Sequence, residues 1–306
     1  AATGRTEDGD FRVDTDEGES VPRGATAMTL GAGLGLDDFD AVAALGERCN
    51  RLGLDLIDAG NAVALAILAA REGLVDRDLA FADPEGARAL LGEIATRSTP
   101  LGDALAEGIE TAAETFEDGE FIPTIKGMAM PSYDPRGSPA MALAYATSDR
   151  GACHRRARPV EREAFDPPWA PSRVATAVVA AQNRRSVRWS LIADDFVGEV
   201  LDPAEWLDAV DWPHDDLART GERIWTLTRL FNVREGFDRR SDGVPEALDE
   251  GGEFSRDRFE ATLDEYYARR GWSAEGVPTR ETLARLGLIE AVDEATPVAG
   301  MAVDCC

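Results

Sequence analysis

From Asp37 to Arg71 the apolar residues recur at helical spacing, interrupted at Gly53 and Gly60, and a pattern with this period cannot present one apolar face in a strand. The stretch is expected to form two helices joined by a glycine-containing turn. Helical patterns return over 83–97 and 101–116, with Asp83 before Pro84 read as an N-cap and first-turn pair. From Phe121 to Gly137 the pattern gives way to short extended pieces carrying Pro123, Pro131 and Pro135, so a domain boundary is expected near Ile122. Three further helices are expected over 174–188, 222–231 and 256–270. No period of about 20 to 50 residues recurs, which excludes a solenoid. With 306 residues the chain can bury a sizeable core. The expected fold class is mainly α, with a flexible acidic segment over 1–20 and helical domains over 21–122 and 123–306.

Charge narrows the partners. Against 58 acidic residues stand 32 basic ones, of which Lys126 is the only lysine, and the net charge is −26. A field of this sign repels nucleic acid and anionic membranes, because binding there depends on cations that neutralise phosphates. Salt screens the self-repulsion such a surface carries, so the composition reads as salt-adapted. No apolar run approaches the roughly 20 residues that span a bilayer, and the expected location is the cytoplasm. Four cysteines, Cys49, Cys153, Cys305 and Cys306, form neither a C-x-x-C spacing nor a disulfide framework, which fits a reducing compartment. The terminal pair reads either as a frayed tail or as a metal-binding or oxidisable pair.

Periodicity and charge do not reach function; four segments do. IKGMAMPSYDPRGSPAMALAYATSDRGACH (Ile125 to His154) is similar to the sequence that opens the third domain of aldehyde ferredoxin oxidoreductases. CNRLGLDLIDAGN (Cys49 to Asn61), ERIWTLTRLFNVREGFDRR (Glu222 to Arg240) and DEYYARRGWSAEGVPTRETLARLGL (Asp264 to Leu288) agree in the same order. The chain therefore resembles the two C-terminal helical domains of that family, as a divergent, haloarchaeal-like member, with the N-terminal β-rich domain absent. The resemblance implies a bis-pterin tungsten cofactor, a neighbouring [4Fe-4S] cluster, an aldehyde substrate and ferredoxin as electron acceptor. It also implies that the family's C-x-x-C-x-x-x-C ligand run lies upstream of this start, so a separate N-terminal polypeptide is a possible partner.

Each helical domain of the family carries a D-x-x-G-L-D or D-x-x-G-x-C loop whose acids accept hydrogen bonds from a pterin. Here the first loop reads Asn50-Arg51-Leu52-Gly53-Leu54-Asp55. Gly53, Leu54 and Asp55 match, and Asn50 replaces a carboxylate with an amide that still accepts. Without the resemblance, such a turn would read as structure alone. The second loop reads Trp189-Ser190-Leu191-Ile192-Ala193-Asp194. Trp189 stands for the acid, Ile192 for the glycine and Asp194 for the fourth cluster cysteine, a hard oxygen donor where thiolate suits iron. Ala193 and Asp195 flank it as candidate cofactor contacts, and the bland reading of Asp194 is a solvated acid at a helix end.

Ala25 falls at the family's active-site glutamate and carries no proton chemistry. His154 matches the family's catalytic histidine, suited to hydrogen-bond or protonate a substrate oxygen, and its bland reading is a structural histidine at a turn. Arg156 matches a basic cofactor contact and can grip an anion bidentately. Ala44-Leu45-Gly46-Glu47 stands where some members hold a bridging iron at a dimer contact, so that iron is not expected, although a homodimer stays open. Cys49 and Cys153 read as small buried residues, and Trp225, Phe231, Tyr266, Tyr267 and Trp272 as packing aromatics. The readings for the whole are an aldehyde-oxidising enzyme, a non-catalytic or split-gene scaffold without the cluster, and a redox enzyme with altered chemistry.

Overall fold

A computed structural model of the chain describes residues 13–15, 18–20, 24–116, 124–131, 133–163, 170–192, 202–252 and 254–300. The chain divides into two compact units, Ala1–Ser132 with Pro245–Ala247 and Tyr133–Val244 with Leu248–Cys306. Both are mainly α-helical, as the periodicity requires.

In the first unit, β1 (Val13–Thr15) pairs antiparallel with β2 (Gly18–Ser20), within the stretch read as a flexible acidic segment. The helices are α1 (Gly24–Leu30), α2 (Phe39–Leu52), α3 (Leu56–Arg71), α4 (Pro84–Thr96), α5 (Pro100–Ala106) and α6 (Ile109–Thr115). A short hairpin, β3 (Thr124–Ile125) with β4 (Met128–Ala129), follows. Asp38 caps α2 by accepting from the amides of Asp40 and Ala41. Asp83 caps α4 from Gly86 with Pro84 in the first turn, as expected. Leu30, Leu34, Val63, Ala66, Leu90 and Leu91 meet in the core.

Two helix boundaries differ from expectation. Gly60 does not break α3; a Cβ there would lie 2.6 Å from Thr29 Cγ2, so the glycine serves the close approach of α1 rather than a turn. The 101–116 pattern is broken at Gly108, which caps α6. No single helix among the described residues is long and apolar enough to cross a membrane. The pair α2 and α3 has the length and composition together, but it bends by 110° and its apolar side chains fill the core.

The second unit contains α7 (Pro139–Ala146), α8 (Val160–Glu163), α9 (Pro171–Ser190), α10 (Pro203–Ala209), α11 (Leu217–Arg234), α12 (Arg256–Arg270) and α13 (Arg280–Leu286). The three expected helices lie inside α9, α11 and α12. Helix α9 is the centre, packed against α7, α11 and α12. What joins these helices is polar. Arg270 is fully buried and donates from Nη2 to Gln182 Oε1 at 2.7 Å, from Nη1 to Asn183 Oδ1 at 2.6 Å and from Nε to the Tyr266 hydroxyl at 3.2 Å. Tyr266 donates to Gln182 Oε1, Trp225 donates to Tyr266, and Gln182 Nε2 reaches Thr147 on the end of α7. The guanidinium also stands 5.3 Å from the Tyr266 ring centroid and 5.5 Å from that of Trp225.

A second buried cluster lies alongside. Arg229 faces Asp242 at 2.9 Å and donates from Nε to the Gly276 carbonyl, while the Tyr267 hydroxyl donates to Asp242 Oδ2 at 2.6 Å. Burial, and then the Asp242 charge, hold the Tyr267 phenol well above its ordinary value. Trp225, Tyr266, Tyr267 and Trp272 are therefore core residues, as read. Phe231 is not: it is 55% exposed on the solvent side of α11, with Arg234 over its ring, because its position falls off the buried stripe that Leu230 and Val233 define.

Replacing Asp242 by Asn leaves the Arg229 cation buried without a counter-charge. The variant is expected to lose about 3 to 5 kcal/mol of stability, seen as a lower denaturant midpoint with unchanged slope.

Candidate cofactor-binding site

The turn between α2 and α3 is set by its sequence. Gly53 has φ +73, a left-handed conformation that a side chain would strain, and it ends α2 with its amide on the Asn50 carbonyl while the Leu54 amide reaches back to Cys49. Asp55 follows in extended backbone and caps α3, its Oδ1 accepting from Ile57 at 2.9 Å and Asp58 at 3.0 Å. The carboxylate is thus half committed to structure, and Oδ2 is left to accept from a ligand.

That turn opens onto a cavity of about 400 Å³ lined by Gly53, Leu54, Asp55, Asp58, Arg97 and Ile109, among others. No atom comes within 4 Å of a Cβ built on Gly53, so a flat ring can approach the backbone there. Two polar lining residues were missed from the sequence. Asp58 sits one helical turn beyond Asp55, and burial, then the Asp55 charge, push its carboxyl up. Arg97 ends α4 at φ +51 and pairs with Asp103 at 2.8 Å and Glu107 at 2.5 Å. The spacing of Asp58 from Asp55 was visible in the sequence; the arrival of Arg97 from another helix was not. Asn50 is exposed on the last turn of α2 and is not among the cavity residues. The Gly53–Asp55 turn, with a free acceptor and open backbone, fits one edge of a pterin.

In the second unit His154 and Arg156 share one turn. His154 is half-buried, its ring 5.7 Å from that of Tyr133 and tilted by 44°. Arg156 is held on two sides: Nε donates to Asp149 Oδ1 at 2.7 Å, and the guanidinium carbon lies 3.9 Å from the centroid of Trp189. Asp149 is anchored in turn, its carbonyl accepting from Asn232 Nδ2 at 2.7 Å. Trp189, read as standing for an acid, therefore packs its indole on Arg156, read as a basic cofactor contact. Trp189 and Ser190 belong to the last turn of α9 rather than to a loop, a correction caused by the helix continuing to Ser190 with Leu191 as its cap. Ile192 then adopts φ +57, the left-handed geometry that Gly53 has in the first turn, although it is β-branched. The backbone keeps the glycine conformation where the side chain has changed.

Ala193, Asp194, Asp195, Cys305 and Cys306 lie outside the described residues, and of Ala25 only its place on α1 is described. Cys49 and Cys153 are buried, as read, and burial, then Asp55, push the Cys49 thiol up to about 12. Among the described residues no three His, Cys, Asp or Glu side chains gather as a metal-binding group.

Asp55→Ala removes a cap and is expected to cost about 1 kcal/mol, with Asp55→Asn close to wild type, measured by denaturant unfolding. Ile192→Gly relieves left-handed strain and is expected to raise stability by about 1 kcal/mol in the same assay.

A family model described as aldehyde ferredoxin oxidoreductase, domains 2 and 3, matches residues 2–288. The tungsten-containing aldehyde ferredoxin oxidoreductase of Pyrococcus furiosus is 31% identical over 299 residues, covering 88% of this chain and 49% of that protein. Its counterpart in Thermococcus kodakarensis is 30% identical over 302 residues, with the same shares. The WOR-like subunit of the aliphatic sulfonate oxidoreductase of P. furiosus is 24% identical over 292 residues, 87% of this chain and 45% of that one. Among solved structures, the active-site complex BamBC of benzoyl coenzyme A reductase with 1,5-dienoyl-CoA shares the fold, with a TM-score of 0.67 and 19% identity over 86% of this chain and 48% of that chain. The chain spans about half the length of the curated relatives it matches. By the match over residues 2–288, this chain belongs to the aldehyde ferredoxin oxidoreductase family, in its domains 2 and 3.

Proposed function

We propose that this chain is the helical part of a tungsten-pterin oxidoreductase that converts an aldehyde and water to a carboxylic acid, with ferredoxin as electron acceptor. The observation that carries this reading is the cavity on the Gly53–Asp55 turn, where open backbone and an uncommitted carboxylate oxygen offer a place for a planar, donor-bearing ring. The tungsten-containing relatives give the metal. When bound, the group supplies the two-electron oxidation, with two protons released for each aldehyde converted. The chain's own residues do the rest. Asp55 Oδ2 accepts from the pterin amino edge. Arg156, fixed by Asp149 and Trp189, offers its Nη groups to an anionic oxygen. His154 hydrogen-bonds the substrate oxygen and moves its proton.

One observation favours a second reading, a scaffold component without its own redox chemistry. The indole of Trp189, at the position read as the second pterin-binding acid, packs on Arg156. Metal analysis distinguishes the two. Co-produced with a polypeptide corresponding to the relatives' N-terminal half, in medium containing tungstate, the complex is expected to hold about one tungsten or molybdenum per chain. His154→Ala is then expected to keep the metal and lose about 10²- to 10⁴-fold in aldehyde oxidation. A complex without either metal sinks the enzyme reading and leaves the scaffold.

A further inference from the structure

We propose that the second unit also binds a free organic carboxylate with an apolar body, in a cavity between α9, the first turns of α10 and α11, and the end of α12. The cavity encloses about 730 Å³, within the range that takes small organic ligands. Val179, Val187, Pro203 and Leu217 give it apolar walls.

Its polar groups are almost all donors. Arg184 and Arg269 are exposed on the cavity, and neither has a hydrogen bond or ion pair among the described residues. Asn183 is oriented from behind: its Oδ1 accepts from the buried Arg270, which leaves Nδ2 as the donor the cavity can use. The Thr176 hydroxyl is spent on the Ser172 carbonyl, and Asp202 spends Oδ1 capping the Ala204 amide of α10. Two guanidinium groups and an amide therefore face a single half-committed carboxylate.

The setting sharpens the point. In a chain of net charge −26, arginines have abundant acids to pair with. Helix α9 nevertheless contains no acid along its 20 residues, and two arginines without an ion pair among the described residues flank an apolar floor beside it. A carboxylate head satisfies the guanidinium groups, for which charge-assisted bonds are the strong ones. An aliphatic or aryl body covers the walls. Neither a purely apolar ligand nor a small anion does both. The inference uses none of the residues invoked for aldehyde oxidation, so it stands or falls separately.

Octanoate is the probe, titrated calorimetrically into the full chain at constant ionic strength, with octanol and acetate as controls. Octanoate is expected to bind at one site per chain, with octanol and acetate at least about tenfold weaker. The double variant Arg184→Gln, Arg269→Gln is expected to weaken octanoate by about tenfold or more, with unchanged circular dichroism because both side chains are exposed. The corresponding Lys pair is expected to recover most of the loss. Ala180→Trp, on the exposed side of α9, is expected to fill the cavity and abolish binding. Equal affinity for octanol and octanoate, unchanged octanoate binding in the Gln pair, or no octanoate binding at all would overturn the proposal.

Discussion

The fully buried guanidinium of Arg270 is the interaction on which the second unit depends. Burying a cation without a carboxylate is costly, and the structure offsets it with three oxygen acceptors and two aromatic faces drawn from α9, α11 and α12. Two of the three acceptors are themselves bonded elsewhere, which limits the arrangements open to the network: Gln182 is held by Thr147 and Tyr266, and Tyr266 by Trp225. Such fully satisfied networks rigidify a core and fix its register. The order of the three long helices in this unit follows from it.

The same network accounts for much of the family resemblance in this half. Gln182 and Asn183, the ERIWTLTRLFN stretch and the DEYYARRGW stretch are far apart in sequence, yet Asn183, Trp225, Tyr266 and Arg270 meet within hydrogen-bond or ring contact. Motifs that looked like functional signatures are, at these positions, the parts of one buried polar joint. The Arg229, Asp242 and Tyr267 cluster beside it has the same character. Resemblance in these segments therefore speaks for fold more than for chemistry.

The two D-x-x-G loops diverge in chemistry while keeping a backbone shape. Both end a helix with a residue in the left-handed region, Gly53 at φ +73 and Ile192 at φ +57. In the first unit the turn still shows an open backbone and an acid to a cavity. In the second, the indole of Trp189 covers Arg156, and Asp149 accepts from its Nε. A guanidinium held by edge and face is more fixed than a lysine at the same place would be.

The sequence by itself determined the mainly α architecture, the long helices, the cap at Asp83, and the turn at Gly53, because all of these follow from local period, capping and backbone conformation. It also carried the family, through segments long enough to identify it. It misread Gly60 and Phe231, because only a neighbouring helix decides whether a glycine is a turn or a contact, and only the packed face decides which aromatic is inside. Tertiary structure alone decided that Asp55 lines a cavity, that Arg97 joins it, that Trp189 stacks on Arg156, and that Arg184 and Arg269 share a cavity without an ion pair among the described residues. These are contacts between residues remote in the chain, and neither spacing nor composition encodes which side chains long-range packing brings together.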